Sequence, residues 1–499
     1  MRLSFSFVLT VIILGVQPIV AQTYFSKTYD KDSMFQFSGN IVKLQNGELF
    51  SESSSERKGS NLRGKIFLVV DTTGAVVRSS YLEFAGHHVS SASISSASQN
   101  GIFYNTGFMS DAITGNFDAF VVKHDQHGDT IWKNIIDSAT EAGFDVLLTH
   151  NDQFYITGAI DFDDGIQFNS DIFLSKFDSS GHCLWTTYYG GKDDDRGLSL
   201  VKDKNTIYIG GNTNSPSKGD NYDTYLSKVS LAGDLEWEKI YGSDGGDGGV
   251  NFLVMDKNKD LVFASTLDTT LNFMEYSTRY IAKTDTMGNI KWRRFFSRGY
   301  LLEIWNIIVT PEDEILLCGF EAPNKDFGWI AKLTPGGNIL WERRYQTRKE
   351  KHPLVEHYIT DMVLLDNGDI MSLGTAPSIT DTNRYDRDIW VMRLDEKGCL
   401  YPGCDSLDVP VVDTPDFPEY IVYPNPARSV TKIALEGPLK KDMEIEIINL
   451  MGQRVREITA KKGWIDIPID VSTLGSGLYL IRIIYEDAVI DVQRLVKVE

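Results

Sequence analysis

The chain has 499 residues, 42% hydrophobic and 24% charged. That composition excludes long disorder, and the length asks for several domains or one large repeat domain. The formal net charge of −20 repels phosphates and anionic membrane surfaces, so no nucleic acid partner is expected.

Residues 1–21 read as a signal peptide: Arg2, then the apolar run "LSFSFVLTVIILGV", then "IVA" before a cleavage site between Ala21 and Gln22. Arg2 is the only charge in this leader, so its loss leaves the mature chain one unit more negative. No later stretch is apolar enough to span a bilayer, so the expectation is an exported chain without a transmembrane segment.

From residue 22 onward one pattern recurs. "DAFVVKHDQHGDTIW", "DIFLSKFDSSGHCLW", "DTYLSKVSLAGDLEW", "RYIAKTDTMGNIKW", "FGWIAKLTPGGNILW" and "DIWVMRLDEKGCLYP" align, with a weaker first copy "GKIFLVVDTTGAVVR". The marker glycines are Gly74, Gly128, Gly181, Gly233, Gly288, Gly337 and Gly398. Each copy is an alternating strand, a turn and a second strand. Between copies lies a second hairpin, as in "LSLVKDKNTIYIGG" and "DMVLLDNGDIMSLG". Four strands in each of seven units of about 50 residues predict a seven-bladed β-propeller spanning 22–404. Five copies carry a Trp four residues after the Gly: Trp132, Trp185, Trp237, Trp292 and Trp341. Their regular recurrence assigns them to packing between blades rather than to a ligand.

The last copy lacks its fourth strand, because Pro402 stands where the Trp would be. The mature N-terminus offers "YFSKTY", with Phe25 and Tyr29 at the spacing of Trp185 and Tyr189. Residues 23–29 are therefore expected to supply the outer strand of the last blade and close the ring. Of the three pairings that four cysteines allow, Cys399 with Cys404 is the closest in sequence, and a disulfide there would pin the exit from the ring. Cys318, in "ILLCGF", reads as a buried free thiol.

These repeats resemble the seven-bladed propeller repeats of secreted bacterial proteins, with "DIFLSKFDSSGHCLWTTYYGGKDDDRGLSLVKDKNTIYIGGNT" as the matching stretch. The resemblance implies the fold and leaves the activity open.

Residues 405–419, with Pro410, Pro415 and Pro418, read as an extended linker. From 420 to 499 short strands and turns imply a small immunoglobulin-like β-sandwich. This segment resembles the type A C-terminal sorting domain of the type IX secretion system of Bacteroidetes-type bacteria. The resemblance rests on "YPNP" (Tyr423, Pro424, Asn425, Pro426), "IINLMGQRV" with Gly452, "DVSTLGSGLYLIRI" with Gly477 and Tyr479, and the final "QRLVKVE". It implies passage through the periplasm, the outer-membrane translocon and sorting machinery as partners, and a secreted or cell-surface destination.

Links between hairpins emerge on one face of a propeller, and here they are the longer and more variable ones. That face is the expected site for an extracellular glycan or protein ligand. No catalytic signature is present: His-Glu-x-x-His, Gly-x-Ser-x-Gly and phosphate-binding loops are all missing. No cofactor and no metal site is assigned. "DKNKD" (256–260) lacks the Gly and Glu of a calcium loop and reads as a turn, and "KDDDRG" reads as a solvated loop. The preferred role is non-catalytic binding or adhesion. An enzyme acting on extracellular polysaccharide through loop-face carboxylates is the alternative, and a structural surface component the third.

Overall fold

A computed structural model describes residues 24–498 apart from 31–32, 58–62, 90–94, 98–100, 114–116, 137–140, 149–152, 162–169, 215–221, 242–248, 251, 272–273, 297–300, 323–326, 348–356, 379–386, 401–419, 424–425, 436–438, 450–452, 465 and 486–487. The cleavage pair Ala21 and Gln22 lies outside these residues, as do Cys404, Pro424, Asn425 and Gly452.

The described secondary structure is all β, and before residue 400 it forms seven antiparallel sheets. The first blade runs Ser33–Lys43, Leu49–Arg57, Arg63–Val70 and Val76–Leu82, each strand paired to the next in sequence. First strands of successive blades touch one another around a ring, and the first strand of the seventh blade (Tyr358–Leu364) touches Ser33–Lys43. This closed ring of sheets is a seven-bladed β-propeller. Second and third strands carry the apolar core, as in Ile207, Ile209, Tyr225 and Leu226, all buried. One blade departs from the four-strand plan: its first strand is split into His87–Val89 and Ser95–Ala97, both paired to Phe103–Asp111.

The outermost strands are Val76–Leu82, Thr130–Ile136, Cys183–Tyr189, Leu235–Tyr241, Ile290–Phe296, Ile339–Tyr345 and, for the seventh blade, Phe25–Tyr29. The last pairs antiparallel with Arg387–Leu394, from Phe25 opposite Arg393 to Tyr29 opposite Ile389.

The marker glycines sit at positive φ in the turns that follow the third strand of each blade, +90° at Gly233. A Cβ there would lie 3.1 Å from the Trp185 ring of the preceding blade. The same approach joins Gly181 to Trp132, Gly288 to Trp237, Gly337 to Trp292 and Gly398 to Trp341. Phe25 meets Gly74 in the same way. Glycine is required twice over, by backbone conformation and by the ring that fills the space of a side chain. Four residues beyond Trp185, Trp237, Trp341 and Phe25, a tyrosine completes the contact. Tyr189 donates to the Gly233 carbonyl at 2.8 Å, Tyr345 to that of Gly398 at 2.7 Å, and Tyr29 to that of Gly74 at 2.7 Å.

Cys399 is buried and disulfide-bonded, whereas Cys183 and Cys318 carry free thiols. Burial pushes the Cys318 thiol well above its ordinary range.

After residue 420 two sheets face each other. One is Tyr420–Tyr423, Val430–Leu435 and Asp466–Asp470; the other orders Arg454–Ala460, Met443–Asn449, Gly477–Tyr485 and Ala488–Lys497. Between them lie Ile433, Ile445, Ile447, Ile467, Ile469, Ile481 and Ile483, all fully buried. Alternation puts these isoleucines on inner faces and charged residues outside. The last strand is tied to Ala427, which donates its N–H to Val496 O at 2.8 Å and accepts from Val498 N at 2.9 Å.

Candidate functional site on the loop-rich face

Each blade begins at the loop-rich face, so the starts of first and third strands and the ends of second and fourth strands lie there. Between the fifth and seventh blades these ends bring together Arg279, Glu303, Trp305, Phe320, Tyr358 and Arg387. Arg279 donates through Nε to Glu303 at 2.9 Å and also bonds Thr266. Trp305 stands at a register shift between Ile304 and Asn306, which turns it out of the ladder. Its half-buried ring lies 5.0 Å from Tyr358 and 5.3 Å from Phe320. The Arg387 guanidinium stacks over Tyr358 at 5.4 Å. His357 accepts from the Thr347 N–H at 3.1 Å and packs on Trp390. Flat rings beside a fixed guanidinium and carboxylate form a surface on which a sugar ring can stack and hydrogen-bond.

A second group lies between the third and fourth blades. Asp194 accepts from Ser170 N and Oγ, each at 3.1 Å, and from Tyr222 OH at 2.9 Å. Asp195 is buried and accepts from Gly191 N at 2.6 Å. Asp171 and Asp195 both come within 2.6 Å of where a Gly190 Cβ would stand. Burial first, and the neighbouring Asp195 charge second, raise the Asp171 carboxyl above its ordinary range. Asp194 and Asp195 of "KDDDRG" are thus anchored groups rather than parts of a solvated loop, because Ser170 and Tyr222 hold the first and the Gly191 N–H holds the second.

Nearer the channel, polar side chains on first strands bind the blades together. Asp361 is almost fully buried and accepts from Ile41 N at 2.8 Å, from Met362 N at 2.7 Å and from the Asn306 amide. Leu253 N donates to Ser199 Oγ at 3.2 Å, the equivalent link between the fourth and fifth blades. Desolvation raises Asp361 to about 7. Sequence reasoning missed this belt, although its signal is visible: a polar residue directly precedes the apolar run at Asn40, Ser199, Asn306 and Asp361.

The "DKNKD" segment is a tight turn with Lys259 at positive φ. Its carboxylates are matched by protein cations, Lys283 on Asp256 at 2.5 Å and Lys291 on Asp260 at 2.5 Å. Among the described residues no group of three or more His, Cys, Asp or Glu side chains is placed to hold a metal ion. Among the described residues no helix is long and apolar enough to cross a membrane.

In the sandwich, Tyr423 ends the first strand, Pro426 is exposed, and Gly477 opens the strand in which Tyr479 packs against the core. Tyr479 OH donates to Gly475 O at 2.9 Å. Residues 421–498 match the family described as "Secretion system C-terminal sorting domain". The C-terminal unit is a type IX sorting domain. The sorting domain addresses the chain for export, to the cell surface or into the medium, through the type IX machinery.

No curated protein matches the chain. Similar solved structures include a virginiamycin B lyase of Staphylococcus aureus (11% identity, TM-score 0.43, 74% of this chain and 99% of that one). An α-L-arabinanase of Penicillium chrysogenum is similar at 8% identity and TM-score 0.41, over 74% and 99%. A puromycin hydrolase is similar at 10% identity and TM-score 0.44, over 81% and 59%. At such values these similarities carry no argument about activity.

Proposed function

We propose that the exported propeller is a non-catalytic binding or adhesion module whose loop-rich face takes an extracellular glycan. The observation that carries the reading is the half-buried Trp305 ring beside Tyr358, with Arg387 and the Arg279–Glu303 pair fixed around it. A stacking ring with polar groups already held in place binds a ligand without much reordering. Calorimetry of the mature protein against a glycan panel tests it. Binding that Trp305→Ala weakens at least tenfold supports the reading; binding indifferent to Trp305 and Arg387 overturns it.

The second reading, a polysaccharide-active enzyme, is favoured by the Asp171–Asp195 pair, since a carboxyl with a raised pKa next to a second carboxylate suits acid catalysis. Product release that Asp171→Asn abolishes would establish it. Self-assembly with no soluble ligand would favour the structural surface component.

The proposal includes cleavage of the leader between Ala21 and Gln22, a propeller over 22–404, a linker at 405–419 and the sorting domain from 420. It also makes Cys404 the partner of Cys399, since the other two cysteines are free. Peptide mapping of the unreduced mature protein reads both the new N-terminus and this pairing.

A further inference from the structure

The alternation that fills the sandwich also divides the residues of its motifs into two sets. In the sheet that holds Met443–Asn449, Gly477–Tyr485 and Ala488–Lys497, Ile447, Ile481 and Leu495 point inward and are fully buried. Their chain neighbours point outward, and several of these are apolar. Ile448 stands opposite Leu480, and Leu478 opposite Val496. Ile448 and Leu480 are half-buried, Leu478 is 38% exposed and Val496 37% exposed. The three strands are consecutive in the sheet, so the four side chains form one patch.

A charged border lies beside it. Glu446, opposite Arg482 in the same sheet, is only 5% exposed. Arg454 and Arg482 donate to its carboxylate at 2.8 and 2.6 Å. Both guanidinium groups are therefore fixed before a partner arrives. The opposite outer face is of another kind among the described residues. There Lys432 binds Asp466 at 3.1 Å, and Pro468 and Asp470 are exposed beside Val430.

The origin of the patch residues points to what covers them. Ile448 belongs to "IINLMGQRV", Leu478 and Leu480 to "DVSTLGSGLYLIRI", and Val496 to "QRLVKVE". Three motifs far apart in the chain meet on one face, through side chains that the core does not use. Single apolar side chains at a surface are ordinary, whereas a contiguous set with a polar border marks a protein contact. The machinery that this domain addresses is that of type IX export. We propose that this outward face is the docking surface of the sorting domain. It takes an apolar patch of a type IX component, bordered by acceptor groups that meet Arg454 and Arg482.

Export of the full-length chain from a bacterium with a type IX system tests this. Leu478→Lys and Val496→Lys, made singly, should each lower the surface and medium fraction about tenfold. The protein should stay in the periplasm with an unchanged melting temperature, since both residues already face solvent. Leu478→Met should export normally. So should Val430→Lys, at a residue 47% exposed on the other sheet. A photocrosslinking amino acid at position 478 should give an adduct with a type IX component, identified by mass spectrometry. That adduct reads the contact even where a lysine variant is unstable. Normal export of both lysine variants, equal retention of Val430→Lys, or a crosslinker at 478 that gives no such adduct, or one only with a second copy of the chain, would overturn the proposal.

Discussion

The Gly233 carbonyl is held by Tyr189 while the Trp185 ring occupies the place of a side chain on its Cα. Gly233→Ala should therefore cost about 2 kcal/mol, from strain at positive φ plus a displaced ring. Tyr345→Phe, which strips the hydroxyl from the equivalent contact at Gly398, should cost about 1 kcal/mol. Chemical denaturation of the two variants checks both values and their order. Two buried groups set the pH dependence in opposite senses. Asp361 is raised to about 7 by burial, so the folded chain keeps a proton there that the unfolded chain loses from about pH 4 upward. Its contribution is complete below pH 4 and is lost as pH rises to 7. His124 lies among Phe50, Phe67 and Phe103, and burial lowers it to about 4. The unfolded chain binds a proton there below about pH 6.5, so this contribution grows as pH rises from 4 to 6.5. The two slopes oppose each other over that window. In Asp361→Asn the His124 slope is no longer opposed by Asp361, and stability measured by thermal melts should rise between pH 4 and 6.5 by on the order of 2 kcal/mol more than in the wild type.

Hairpins were legible in the sequence because each element carries its own local signal. Alternation marks the strands, and a glycine in the turn marks the start of the outer strand in the first six blades. The split first strand of the second blade was not legible, since "VSSASISSAS" alternates weakly and carries little apolar weight. Side chains that converge from different blades were also hidden. Trp305, Tyr358 and Arg387 sit on three strands of two blades, and no spacing within one repeat relates them. The belt around Asp361 is intermediate: its residue type repeats, but its role depends on a neighbour 320 positions away. Strand Phe25–Tyr29 shows how much one short element can hold. It covers the edge of Arg387–Leu394 and puts Phe25 and Tyr29 against Gly74. Deleting 24–29 should cost several kcal/mol, from the lost burial of Phe25 and one unpaired ladder. A lower melting temperature with new dye binding at the ring's seam would show it, and an unchanged melt would count against the strand's role.

At the scale of the whole molecule, the propeller and the sorting domain carry separate instructions. The sorting motifs were legible because four short motifs stand in fixed order over some 80 residues, whereas the proposed site on the loop-rich face left no motif, because its side chains come from strands of different blades. Deleting 420–499 should leave a folded propeller confined to the periplasm, as read by fractionation and by melting of the purified product. Surface delivery of that truncation would refute the address.

The pairing of Phe25–Tyr29 with Arg387–Leu394 also fixes an order of events in time. Ser26 and Trp390, hydrogen-bonded in the closed ring, are 364 positions apart. The first strand made must wait for the last blade, and joining ends so distant is the slow, entropically costly step of folding. The export address comes later still. A chain cut short before residue 421 therefore lacks the address, and one cut short before Arg387–Leu394 lacks the seal as well. Chain order thus couples export to closure: the address is reached only after both strands of the seal have been made.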